Sequence, residues 1–267
     1  MNINIEYTNK SPEGLRIVHI TDLHISHADE RESESKQQHA FNRRTKGFPN
    51  TDNMLEELKT FLQTEEYDVA VFTGDIIDFP SARNIELLHD LINHCKKCFY
   101  VLGNHDWAYP GEGGTYETKQ QNILKFEKFL NKEDAEVSVL DIKGYRLIGF
   151  ENTSGGYQIT ESQYERIVNA LHTDRPTILC THVPFYTETL TEDTVKYWKS
   201  NIVMGSPDFP PNESTKKIFQ FLGKETTPVI GILTGHIHFN HEDYVFGKIP
   251  QYVTALTAEK NLRCITF

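Results

Sequence analysis

Leu15–Thr21 (LRIVHIT) runs straight into Asp22-Leu23-His24. A continuous apolar run of this length, ended by polar residues, reads as a strand. The same layout recurs four times. Val69–Thr73 leads into Gly74-Asp75-Ile76-Ile77-Asp78, and Cys98–Leu102 into Gly103-Asn104-His105-Asp106. Thr177–Cys180 precedes Thr181-His182, and Pro228–Leu233 precedes Gly235-His236-Ile237-His238. A parallel sheet presents its strand ends along one edge. Acids and imidazoles far apart in sequence can therefore share one pocket.

Helical spacing of apolar residues separates these strands. It predicts helices over Asp52–Gln63, Asn84–Asn93, Glu117–Leu130, Glu161–Leu171 and Ser214–Leu222. Glu136–Leu140 with Tyr145–Phe150, and Asp243–Phe246 with Ile249–Val253, read as hairpins, and Leu262–Phe267 as a closing strand. Strand–helix alternation predicts an α/β fold, largely parallel, with right-handed crossovers. The hairpins are expected to add antiparallel strands at the edge of each half. Two halves, joined near residues 150–160, are expected to pack sheet on sheet with helices outside, a four-layer α/β/β/α sandwich. At 267 residues, one domain over the whole chain is expected. Ser26–Asn50, the most polar stretch, reads as a loop or partly disordered, and Val183–Asn212 as a second long connection. Loops of this length in a compact domain are usually functional or mobile.

The net charge of -11 argues against broad attraction to a phosphate backbone, and so against a general nucleic-acid binder. A phosphate substrate stays compatible, because two dications would locally outweigh Asp22 and Asp75. No apolar run approaches the roughly 20 residues of a membrane span. Met1–Lys10 shows no basic segment followed by an apolar core, so no secretory signal is expected. His94, Cys95 and Cys98 form a lone CxxC with a histidine, and no second cysteine pair completes a four-ligand zinc site. Reduced thiols in a cytoplasmic protein are the expectation.

Carboxylate oxygen and imidazole nitrogen suit hard and borderline dications. Asp75 is the candidate to touch two ions, since a carboxylate has two oxygens to share. Asp22 with His24, and His236 with His238, stand two residues apart, which in extended backbone aims both side chains one way. The amide oxygen of Asn104 is a reasonable ligand. His105 should point differently from its neighbour, towards substrate. Asp106 is expected to accept a hydrogen bond from His105 or to hold its loop. Gly74, Gly103 and Gly235 each precede a candidate ligand, where a small residue allows close approach. His19, inside an apolar strand, reads as a satisfied core histidine. His27, His39, His89 and His172 read as solvent-facing or supporting, and Asn240 and His241 as pocket-lining or surface.

Together and in this order, the five clusters resemble the calcineurin-like metallophosphoesterases, from Asp22 to His238. The resemblance implies a pair of packed mixed sheets flanked by helices. It implies that Asp22, His24, Asp75 and His238 hold one metal and that Asp75, Asn104, His182 and His236 hold a second. His105 would be the catalytic acid, with Asp106 beside it, and Asp78 would support the loop. Protein serine/threonine phosphatases carry arginines after the second motif and before the third. Here Asp78 is followed by Phe79-Pro80 and Gly103 is preceded by Leu102, so those phosphate-binding arginines are missing. Purple acid phosphatases place a tyrosine where Asp78 stands. The pattern looks more like bacterial-type phosphodiesterases.

The implied reaction is phosphoester hydrolysis. A hydroxide bridging two divalent ions (Mn, Fe or Zn) would attack, and His105 would protonate the departing alkoxide. A phosphodiesterase is expected, with a phosphomonoesterase or nucleotidase as the alternative within the fold. A nuclease is opposed by the acidic balance, and a silent scaffold by the complete ligand set. The expected partner is a small phosphoester, nucleotides included, with no membrane and no nucleic acid. Trp107 and Tyr109, and Phe185, Tyr186, Tyr197 and Trp198, could stack on a base or pack their own loops. Arg43, Arg44 and Lys46 could reach a second phosphate or stay solvated.

Overall fold

The structure, a computed structural model, describes residues 3–9, 13–109, 116–130 and 135–267. One sheet has five strands, in the order β1 (Asn4–Asn9), β11 (Asn261–Thr266), β2 (Arg16–Ile20), β3 (Val69–Thr73) and β4 (Cys98–Val101). The other has six, in the order β5 (Val137–Ile142), β6 (Tyr145–Phe150), β7 (Thr177–Cys180), β8 (Val229–Thr234), β10 (Ile249–Val253) and β9 (His241–Val245). β2, β3 and β4 run parallel, as do β6, β7, β8 and β10.

Alternation along β3 shows how the layers form. Val69 and Val71 join Phe99 and Val101 of β4 and Leu147, Ile178 and Leu233 of the other sheet in the core between the sheets. Ala70 and Phe72 point the opposite way, onto helices α2 (Thr51–Thr64), α3 (Ala82–Asn93) and α5 (Tyr116–Phe129). A strand covered on both faces is apolar almost throughout, and all five residues of β3 are buried. Helices α7 (Glu161–Leu171) and α9 (Glu213–Leu222) cover the second sheet through Ile167, Leu171, Ile218 and Leu222. Three apolar layers thus separate four layers of structure, as the four-layer expectation requires.

Four expectations need correction. The sheets divide between β4 and β5, across α5, and not near residues 150–160. Both hairpins flank the second sheet, while the antiparallel strand of the first is β11, which returns to pair with β2. Ser26–Asn50 contains α1 (Glu34–Asn42) and a π-helical turn (Arg43–Gly47). Val183–Asn212 contains α8 (Glu188–Trp198). Both helical inserts bury few residues, Ala40 in α1 and Leu190 and Thr194 in α8, so their apolar spacing carries little helical signal. β1 also escaped the reading: Ile3 and Ile5 are only partly buried, on a sheet edge.

Arg263 ties the sheets together. From β11 its buried guanidinium donates to Thr254 Oγ1 (3.2 Å) and to the Val253 carbonyl (3.2 Å), and pairs with Glu242 of β9. Thr254 meets His19 Nδ1 at 2.7 Å, and Thr73 meets His19 Nε2 at 2.8 Å. His19 is the satisfied core histidine expected. Burial, reinforced by Arg263, pushes its pKa down to about 3. The unfolded chain then binds more protons than the folded one between pH 3 and about 6.5, so stability falls as pH drops through that window. Removing this group should remove its part of the pH dependence. Between pH 7 and 5, His19→Gln is expected to lose about 2 kcal/mol less stability than the wild type, measured by urea unfolding at the two pH values.

Candidate metal centre

β2, β3, β4, β7 and β8 all end at one edge of the layered core. The residues that follow these strands converge there. The backbone of residues 22–25 stays paired with residues 74–76: the N–H groups of Asp22, His24 and Ile25 donate to the carbonyls of Gly74, Asp75 and Ile76 at 3.0, 3.0 and 2.9 Å. The residues are not extended, however. Asp22, His24, Asp75, His236 and His238 have φ of 53°, 51°, 52°, 72° and 66°. Alternate left-handed residues, and not extended ones, aim each pair at one point. Leu23 and Ile237, between them, turn into the core and are fully buried. Asp and His occupy this region more readily than most residues.

Close approach explains two glycines. A Cβ on Gly103 would sit 2.2 Å from Asp75 Oδ1, and one on Gly235 would sit 1.8 Å from Thr21 Oγ1 and 2.4 Å from Asp22 Oδ2.

Asp22, Asp75, His182 and His236 are each held by one atom and offer another. Asp22 Oδ2 accepts from the His236 N–H (2.9 Å) and the Thr21 hydroxyl (2.6 Å). Its Oδ1 faces His238 Nε2 at 3.3 Å and His24 Nε2 at 3.8 Å. The latter two nitrogens are 3.4 Å apart. Asp75 Oδ1 accepts from the His105 N–H (2.8 Å), and its Oδ2 lies 3.1 Å from His182 Nε2. His182 Nδ1 donates to the Thr73 carbonyl (2.7 Å), which leaves Nε2 for the site. His236 Nδ1 is 3.2 Å from His182 Nε2.

Among the described residues three ligand sets result, each with atoms within 4.8 Å: Asp22, His24 and His238; His24, Asp75 and His105; and Asp75, His182 and His236. Asp75 belongs to two of them and sits between the others. Among the described residues, Asp22 Oδ1 and Asn104 Oδ1 find no hydrogen-bond partner although both are buried acceptors. Buried acceptors of this kind are costly unless something positive meets them. The donor set therefore fits two dications.

Electrostatics agree. Burial raises the Asp22 and Asp75 carboxyls, but neighbouring histidines overcome it and hold both well below the usual range. Burial also opposes charge on His182, yet Asp75 and Asp22 lift its pKa to about 10. Burial, then the His182 charge, lowers His236 to about 3. So much buried anionic charge retains a proton when no metal replaces it.

Asp106 does not meet the His105 ring. It accepts from the N–H groups of Asp75 (2.9 Å), Ile76 (3.1 Å), Ile77 (3.2 Å) and Gly103 (2.7 Å) and from the Tyr100 hydroxyl (3.0 Å). It holds two ligand loops in register. Burial and Asp75 push its carboxyl up to about 7, but five donors on two oxygens favour the ionised, acceptor-only form. His105 instead directs Nδ1 at the Asp78 carbonyl (3.1 Å). Its ring borders a cavity of about 780 Å³, shared with Arg43, Trp107, Lys119 and Ser154.

Sequence reading missed Tyr157, whose hydroxyl meets His236 Nε2 at 3.2 Å. The only signal was Gly155-Gly156 beside it, in a turn where all three residues have positive φ. Of the weighed aromatics, Trp107 packs inward and donates to Thr153 (3.1 Å). Tyr109 bonds Glu32 and Pro80. Phe185 is fully buried. Tyr186, Tyr197 and Trp198 are exposed, and Trp198 stands edge-on to His238 at 5.1 Å. Residues 110–115, the glycine-rich part of that first aromatic loop, lie outside the described residues.

The profile of the calcineurin-like phosphoesterase family matches residues 15–240. The chain belongs to this family, and it is thereby a phosphoester hydrolase of the dinuclear-metal class. No curated protein matches the sequence. Among solved structures, the chain is similar in fold to a dimetal phosphatase from Danio rerio (11% identity, 90% of this chain and 87% of that chain, TM-score 0.52). It is also similar to a phosphopantetheinyl hydrolase from Mycobacterium tuberculosis (12% identity, 95% and 96%, TM-score 0.51). A purple acid phosphatase from yellow lupin aligns over 96% of this chain but 44% of its own (15% identity, TM-score 0.52). Among the described residues no helix is long and apolar enough to cross a membrane.

Gly103→Ala keeps an allowed φ and adds only a Cβ, against Asp75. It is expected to lower bound metal per chain at least tenfold at limiting Mn and to lower the melting temperature by about 5 °C. Metal analysis after gel filtration and a thermal melt check both.

Proposed function

We propose that this chain is a phosphodiesterase. Asp22, His24, Asp75 and His238 would hold one dication, and Asp75, Asn104, His182 and His236 the other. The observation that carries this reading is the place of Asp75 in two of the three ligand sets, one with His24 and His105 and one with His182 and His236, beside the cavity that His105 borders. Bound dications would supply Lewis acidity to phosphoryl oxygens and lower the pKa of a water to about 7.

The chain's own groups do the rest. Asp75 takes the His105 N–H and so fixes the acid relative to the shared carboxylate. The Asp78 carbonyl takes Nδ1–H and leaves Nε2 to deliver a proton to the departing oxygen. A cavity of about 780 Å³ on that side has room for a leaving group much larger than a proton or a methyl group. This supports a diester, or a monoester of a bulky alcohol such as a nucleoside. Four cysteines, Cys95, Cys98, Cys180 and Cys264, carried as thiols support a reducing, cytoplasmic setting.

A panel after Mn reconstitution tests substrate class: a bis-aryl diester, a cyclic nucleotide, a nucleoside 5′-monophosphate and a phosphopantetheinyl compound. The diesters are expected to show the highest kcat/KM. Preference for the 5′-monophosphate by tenfold or more would establish the monoesterase alternative instead. His105→Asn is expected to keep its metal and to lose about 10²–10⁴-fold in kcat on a diester with a poor leaving group. Turnover near the wild-type rate there would remove His105 as the acid.

A further inference from the structure

Arg43 stands out among the charged residues of the Ser26–Asn50 segment. Its Nε and Nη2 donate to the two oxygens of Asp78 at 2.8 and 2.6 Å. Asp78 is fully buried, and its Oδ1 lies 3.2 Å from His24 Nδ1. His24 in turn lies flat on the Phe48 ring, with centroids 4.4 Å apart and planes 13° apart. The Arg43 guanidinium covers Phe48 at 4.4 Å. Four side chains thus close a ring: Arg43 to Asp78, Asp78 to His24, His24 to Phe48, and Phe48 to Arg43. The π-helical turn from Arg43 to Gly47 brings its two ends together.

This geometry decides between the two readings of Arg43. A guanidinium whose fork is already spent on a buried carboxylate does not await a second phosphate. Nor is it solvated. Its partners lead to a candidate metal ligand, and its edge also lines the cavity beside His39 and His105.

The geometry points to residues 34–48 as a strap that locks His24 in its ligating pose, with Arg43 as the positioning residue and Phe48 as its backstop. This inference rests on the dinuclear reading and adds an asymmetry to it. The ion at Asp22, His24 and His238 depends on the strap. The ion at Asn104, His182 and His236 does not, since Thr73 and Tyr157 hold those imidazoles instead. Coupling is reciprocal: if the strap favours the ion, the ion favours the docked strap. Because Arg43 also walls the cavity, metal loading and the shape of the leaving-group pocket are joined through one residue.

Metal-free full-length protein titrated with Mn tests this, read by calorimetry and by Mn electron paramagnetic resonance. Wild type is expected to bind two ions and to show spin coupling between them. In Arg43→Gln one ion should bind 10–100-fold more weakly, the loss typical of removing a group that orients a ligand. The other should stay within threefold. Arg43→Lys should not restore the loss, because an ammonium cannot span both carboxylate oxygens. Phe48→Leu should weaken the same ion. Trypsin gives an independent readout: Mn should protect the bonds after Arg44 and Lys46 in wild type and fail to protect them in Arg43→Gln. Two ions bound by Arg43→Gln with wild-type affinity, or both weakened alike, would overturn the strap and leave the dinuclear reading standing. Wild-type protein that never binds two ions would overturn both.

Discussion

Four buried carboxylates, Asp22, Asp75, Asp78 and Asp106, crowd one edge of the molecule, and everything around them answers to that charge. Burying an ionised carboxylate is expensive unless it is paired and hydrogen-bonded. Asp22 and Asp75 each commit one oxygen to a backbone N–H from another ligand loop and turn the other to imidazoles. Asp78 gives both oxygens to the Arg43 guanidinium, and the same oxygens meet His24 Nδ1 and the Ser26 hydroxyl, each at 3.2 Å. The loops thus hold one another through the acids, and the remaining oxygens define where positive charge must go.

The backbone is shaped to the same end. Five of the candidate ligands are left-handed, at a cost of roughly 1 kcal/mol or more each. Such strain persists where the surroundings over-determine it. Here the surroundings are the continued pairing of residues 22–25 with 74–76, the Asp106 carboxylate that gathers four N–H groups, and the contact distances at Gly103 and Gly235. The energy comes from the three apolar layers, which fix where the strands end. The site itself contributes alignment.

Tuning differs between the two ligand sets. On one side, His182 leans on a main-chain carbonyl and His236 on a phenol, both fixed by the core and a short turn. On the other, His24 leans on a side-chain ring that reaches out into a helical insert. The first set is built into the fold, while the second depends on a segment with few buried apolar residues, of which only Ala40 in α1 is buried. Segments of this composition sit at the low-stability end of a structure, where coupling to a ligand has the largest effect.

The strands, most helices and the five clusters were legible because each rests on local chemistry. Apolar runs such as VAVFT must be buried on two faces, and acids and imidazoles placed just after them must share the strand-end edge. The types and order of the candidate ligands were therefore set by sequence alone. Other features came only with the tertiary structure, because they depend on contacts across long sequence separations. Arg43 finds Asp78 35 residues away, Tyr157 finds His236 79 residues away, and Asp106 turns from His105 to loops 29 to 31 residues distant. The left-handed turns also lay beyond the sequence, since Asp and His tolerate that region without requiring it. Residue types determined which atoms were offered; packing decided which of them are spent on holding the site and which are left to act.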